Sequence, residues 1–225
     1  MIEVDTAADA TRSRRRTWIT GGVLFVASAL LELAPPELAF GMSFGLSTAL
    51  FAVGAGVFAI GLGRPGSVSA RRPLGTSAVI ALAVWQLLSG PLFTAVSAML
   101  LAGSSPMDMS GFGRDLGLVT MLTTSMDVIT LALAIVATVQ IARIAVVPRP
   151  FNRAPLWALI AVVFAQLAPN AIAVAGSIDD QAQLSALFAL IPLITAAAVA
   201  FLGVAAIVLA VRPAGGETVV FASPG

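Results

Sequence analysis

The chain has 225 residues, of which 59% are hydrophobic and only 10% charged, with a formal net charge of +1. A soluble domain carries about a quarter charged residues, so the composition excludes that class and points to an integral membrane protein. With no Cys and no His, disulfides, thiolate metal sites, imidazole haem ligation and the usual catalytic base are all excluded.

Residues 1–16 read as a polar cytoplasmic tail, 17–211 as a six-span transmembrane domain and 212–225 as a second cytoplasmic tail. Ser13-Arg14-Arg15 faintly resembles a twin-arginine export signal, but Thr17 stands where an aromatic belongs and five further spans follow, so the stretch reads as a positive anchor. The spans are Thr17–Ala34, Pro36–Leu62, Gly75–Ala102, Leu116–Val146, Pro155–Ala175 and Gln183–Val211. Each is long enough to cross about 30 Å of hydrocarbon as a helix. The fold class is therefore all-α, a six-helix transmembrane bundle.

All twelve basic residues are Arg. Eleven of them precede span one, follow span six, fall between spans two and three or lie at the junction of four and five; only Arg114 falls on the other side. Positive loops stay in the cytoplasm, so both termini are predicted to be cytoplasmic. Arg without Lys, together with heavy Ala, Gly and Val usage, suggests a GC-rich bacterial genome and hence the plasma membrane of a bacterium.

Trp18 and Trp157 fall at the cytoplasmic ends of spans one and five, where indoles anchor to the interface. The outer connections carry Glu37, Asp108, Asp115, Asp179 and Asp180. Asp180 with Gln183 has capping-box spacing, and Asp115 is placed to cap span four. Capping outweighs ion binding for these acids.

Span two carries small residues at helical spacing: Gly41, Gly45, Ala49, Ala52, Gly56, Ala59 and Gly63. In lipid such a stripe brings backbones together, so this face is expected to pack within the protein rather than to form a dimer. Ser47, Gly54 and Gly61 form another face. Spans one, three and five each carry Glu32, Gln86 or Gln166 ahead of a proline, and their partners end in Arg-Pro. A threefold hairpin repeat would fit this pattern, and restricted composition also produces it.

Asp127 is a lone carboxylate inside span four, about 15 Å from its outer end at about 1.5 Å per residue. It shares a helical face with Thr120, Thr123 and Thr130. Gln86 and Gln166 lie at a similar depth, and Asn170 and Glu32 lie further out. Pro91, Pro169 and Pro192 would break their helices near this layer and free carbonyls to line a cavity.

Two readings follow. Polar side chains at this depth bond across helix interfaces and hold bundles together. Alternatively, Asp127 forms the floor of a polar cavity and binds a proton or cation, as an intramembrane acid would. Interhelical bonding accounts better for the amides and the carboxylate favours a site. Enzymatic chemistry lacks its groups, since no close carboxylate pair, nucleophile elbow or phosphate loop is present. The sequence thus describes a non-enzymatic multi-pass protein with no cofactor and no nucleic-acid partner. Its companions are the lipid bilayer, a homo-oligomer or membrane-protein partner, and, on the transport reading, a proton, cation or small solute.

Overall fold

The computed structural model describes residues 2–34, 43–61, 73–102, 109–144, 153–174 and 181–212. They form six α-helices: α1 (Ile2–Glu32), α2 (Ser43–Ile60), α3 (Pro73–Leu101), α4 (Met109–Ile144), α5 (Ala154–Val174) and α6 (Gln181–Val211). No strand occurs among the described residues. Three stretches are long and apolar enough to cross a membrane: Leu74–Leu100, Gly117–Ala142 and Ala189–Val211. Gly45–Ile60 and Ala154–Leu167 are shorter apolar helical stretches.

Each helix packs on its chain neighbours, and α6 returns to pack on α1. The result is a ring of six helices in chain order. The seam between α1 and α6 is the most extensive, and that between α4 and α5 is the sparsest.

Glycine explains the tight seams. A Cβ on Gly22 would lie 2.6 Å from the Gly203 carbonyl oxygen, and a Cβ on Gly203 would lie 2.6 Å from that of Gly22. The α1 and α6 backbones therefore touch, and no larger residue fits at either position. Ala29 and Ala196, each two turns away along the same faces, are also buried.

On the other flank of α1, Phe25 fills the space opposite Gly54 and Phe58 that opposite Gly21. Phe25 stacks on Phe51 at 5.1 Å and meets Phe58 edge-on at 5.3 Å. Ser28 Oγ donates to the Ser47 carbonyl at 2.9 Å. These pairs run in opposite sequence directions, so α1 and α2 are antiparallel. Gly61 ends α2 with φ 75°, a left-handed conformation that glycine adopts without penalty.

Several expectations are corrected. Gly45 and Gly56 have nothing near their missing side chains, so the predicted small-residue stripe is not the contact face throughout. Ala52 and Ala59 are buried, but Ser47 and Gly54 make the close approach to α1. Gly41 and Gly63 lie outside the described residues.

The polar N-terminal residues from Ile2 onward are helical and continuous with α1. Helix extension costs little once a turn exists, and Asp9 pairs with Arg12 at 3.9 Å on this exposed segment. Helix α4 begins at Met109, so Asp115 lies inside it instead of capping it. No proline interrupts that stretch. Asp180 immediately precedes α6, and its own placement lies outside the described residues.

Candidate functional site: a chamber inside the helix ring

The ring surrounds a partly open chamber of about 420 Å³ to which all six helices contribute side chains. Trp18 within α1 and the helix ends at Ile60, Pro73, Ile144, Ala154 and Val211 share the end of the bundle to which the sequence assigns eleven arginines, here called the basic end. The chamber runs from Trp18 on α1 to Glu32 on the same helix. Fourteen residues of helix make that distance about 21 Å.

Its wall divides by chemistry along this length. The basic-end portion is largely apolar, formed by Phe58, Ala59, Ile141, Ala158, Ala205 and Leu209, with the Thr138 hydroxyl among them. Further along come Glu32, Gln86, Thr130 and Thr195, with Ser47 and Thr48 from α2. Counted along their helices, the first four lie about 20–24 Å from the basic-end residues. A polar band at one depth therefore exists, and its members arrive from different helices. Glu32, expected further out, belongs to it.

Hydrogen bonds hold the band in place. Trp85 Nε1 donates to Thr130 Oγ1 at 2.8 Å, bridging α3 and α4, and Thr130 Oγ1 in turn donates to the Met126 carbonyl at 2.9 Å. The Ser28–Ser47 bond ties α1 to α2 one turn from Glu32. In lipid such bonds contribute about 0.6–2 kcal/mol each.

Two polar atoms on the chamber wall are buried without a hydrogen-bond partner, Trp18 Nε1 and Thr195 Oγ1. Trp18 is only 3% exposed. This corrects the expectation of an interfacial anchor: the indole turns into the bundle, and Arg14 covers it from 5.0 Å. Trp157 is 64% exposed, as an anchor would be.

The predicted site residues do not all meet. Glu32 and Gln86 line the chamber, whereas Asp127 and Thr123 are exposed on the outside of α4 and do not line it. Thr130, one turn further along, is the member of the threonine stripe that reaches inward. Gln166 is exposed on α5, and the side chain of Asn170 lies outside the described residues. The carboxylate in the chamber is thus Glu32, not Asp127.

Thr123, Thr124 and Ser125 each donate to the carbonyl four residues back along α4. Their hydroxyls are satisfied within the helix and cannot by themselves mark a site. Pro91 and Pro192 are exposed, and α3 and α6 continue through them. Those prolines therefore do not shape the chamber as expected. Pro169 lies within α5, but its side chain is outside the described residues.

Protein-family models, curated proteins and solved structures provide no match to this chain.

Sequence reasoning missed Ser28, Thr48, Thr195 and the inward turn of Trp18. A signal existed for the first: Ser28 and Glu32 are four residues apart and share a face of span one. Nothing local distinguishes Thr195 from the other hydroxyls of the chain. Among the described residues, no cluster of three or more acidic, His or Cys side chains is placed to hold a metal ion.

Proposed function

We propose that this chain is a six-span, non-enzymatic protein of the bacterial plasma membrane whose helix ring encloses a binding chamber for a small solute. Its termini face the cytoplasm, as supported by the eleven-to-one distribution of Arg. The observation that carries the functional reading is the chamber itself. It is mostly apolar, with a few convergent polar groups, and its volume lies within the range of about 300–1,000 Å³ typical of small-molecule sites. The interhelical hydrogen bonds favour a second role for the polar band as structural support, and the two roles coexist in neighbouring residues.

The absence of cysteine makes the test clean. Ala137→Cys and Ala198→Cys place a thiol on the chamber wall, while Val128→Cys places one on the exposed face of α4. A small water-soluble methanethiosulfonate should modify the chamber thiols in membranes and leave the α4 thiol unreacted. Equal protection at all three positions would remove the chamber as a solute site. Thiols placed at Gly66 and Gly103, labelled from outside intact spheroplasts, report orientation: only Gly103→Cys should react.

A further inference from the structure

The chamber holds one charge and no counter-charge. Glu32 lines it, and no Arg lines it among the described residues. Glu32 is half-buried in a mostly apolar, partly open wall, where a carboxylate is stabilised by a counter-charge or by a proton. The groups beside Glu32 cannot neutralise it: Gln86, Ser28 and Thr48 are uncharged, and Ser28 already donates to the Ser47 carbonyl. Two turns from Glu32 toward the basic end, Phe25 and Phe51 lie stacked at 5.1 Å on the same wall. Aromatic faces attract cations through the ring quadrupole and accept apolar groups equally well. Beyond them the wall is largely apolar, with Thr138 its one hydroxyl among the described residues, to the buried Trp18.

Resting on the chamber reading above, we propose that the preferred occupant is an amphipathic monocation. Its amine or quaternary onium centre lies between Glu32, Gln86 and the Phe25–Phe51 pair, and its apolar body extends toward Trp18. The same wall discriminates against anions, because Glu32 would repel them and the described lining offers no cationic side chain. A neutral apolar molecule would fill the deeper part but leave Glu32 without a counter-charge.

The test uses the full chain in a neutral detergent with two probes of nearly the same shape and opposite charge, radiolabelled tetraphenylphosphonium and tetraphenylborate. The cation should bind saturably to immobilised protein and tetraphenylborate should not. Glu32→Gln should weaken cation binding at least about tenfold. Asp127→Asn, which alters a carboxylate outside the chamber, should leave it unchanged. Gln86→Glu adds a second acid to the wall and should tighten cation binding, an outcome that does not depend on Glu32→Gln folding. Equal binding of both probes, or a cation affinity insensitive to Glu32→Gln and Gln86→Glu, would overturn the charge assignment while leaving the chamber intact. Binding lost in Asp127→Asn but retained in Glu32→Gln would move the site to α4. Absence of binding by either probe, together with unreactive chamber thiols, would remove the chamber reading itself.

Discussion

Helix α1 is held to α2 and α6 by backbone approach and ring stacking, whereas α4 meets α3 and α5 through less extensive seams. On the first side, Gly21, Gly22, Gly54 and Gly203 each face a side chain or carbonyl that leaves no room for a Cβ. On the second, Gly117 has open space around it, and the α4–α5 seam is the sparsest in the ring. Both sides are similarly apolar in sequence. The difference teaches that in a membrane apolar composition does not cause packing, because lipid tails solvate Leu as well as a neighbouring helix does. Close approach and interhelical bonds decide where the structure is firm.

The largest effect should come from the firm side. Gly203→Val drives a branched side chain into the Gly22 carbonyl and should cost about 3 kcal/mol or more. It would be read as a fall in the thermal midpoint in detergent and loss of a monodisperse peak. A midpoint equal to that of the wild-type protein would mean that α1 and α6 do not close the ring through this contact.

A smaller loss is expected where the two sides are bonded. Trp85→Phe removes the donor to Thr130 and should cost about 1 kcal/mol. Thr130→Val in the same background should add little, since both changes break one bond. Fully additive losses in the double-mutant cycle would show that the bond does not couple α3 to α4.

Asp127→Leu probes the open side. Asp127 is exposed and forms no hydrogen bond or ion pair with another described residue. Replacing a lipid-facing acid with Leu should leave the midpoint unchanged or raise it. A clear loss would mean that the carboxylate has a protein partner, and the contrast between the two sides would need redrawing. The smallest effect is expected for Gly56→Leu, within about 0.5 kcal/mol of the wild-type protein, because the position faces open space. Destabilisation as large as that of Gly203→Val would restore the small-residue stripe of α2 as a packing face.

The helices themselves were legible because their signal is local: long apolar runs separated by Arg, Pro and Gly need no tertiary information. The polar layer was half legible. Glu32, Gln86 and Thr130 stood out by residue type and spacing, but which of them turned inward depended on the rotation of each helix. Hydrophobic periodicity normally reports that rotation. Here nearly every face is apolar, so the lipid side and the protein side look alike in sequence. Trp18 shows the same ambiguity, since an indole near a helix end suits the interface and the interior equally well until its neighbours are known.

By itself, then, the sequence determined an all-helical protein with apolar spans, an asymmetric distribution of arginines and a chemistry without thiols or imidazoles. Each of these is set by composition and order along the chain. The tertiary structure decided that the carboxylate lining the inside of the ring is Glu32 and that Asp127 faces outward. That choice follows from the reciprocal Gly22–Gly203 contact and the Phe25–Gly54 contact, which fix the rotation of α1 and so turn its Ser28–Glu32 face toward the chamber. Contacts between residues far apart in sequence determine it, and no local pattern encodes them.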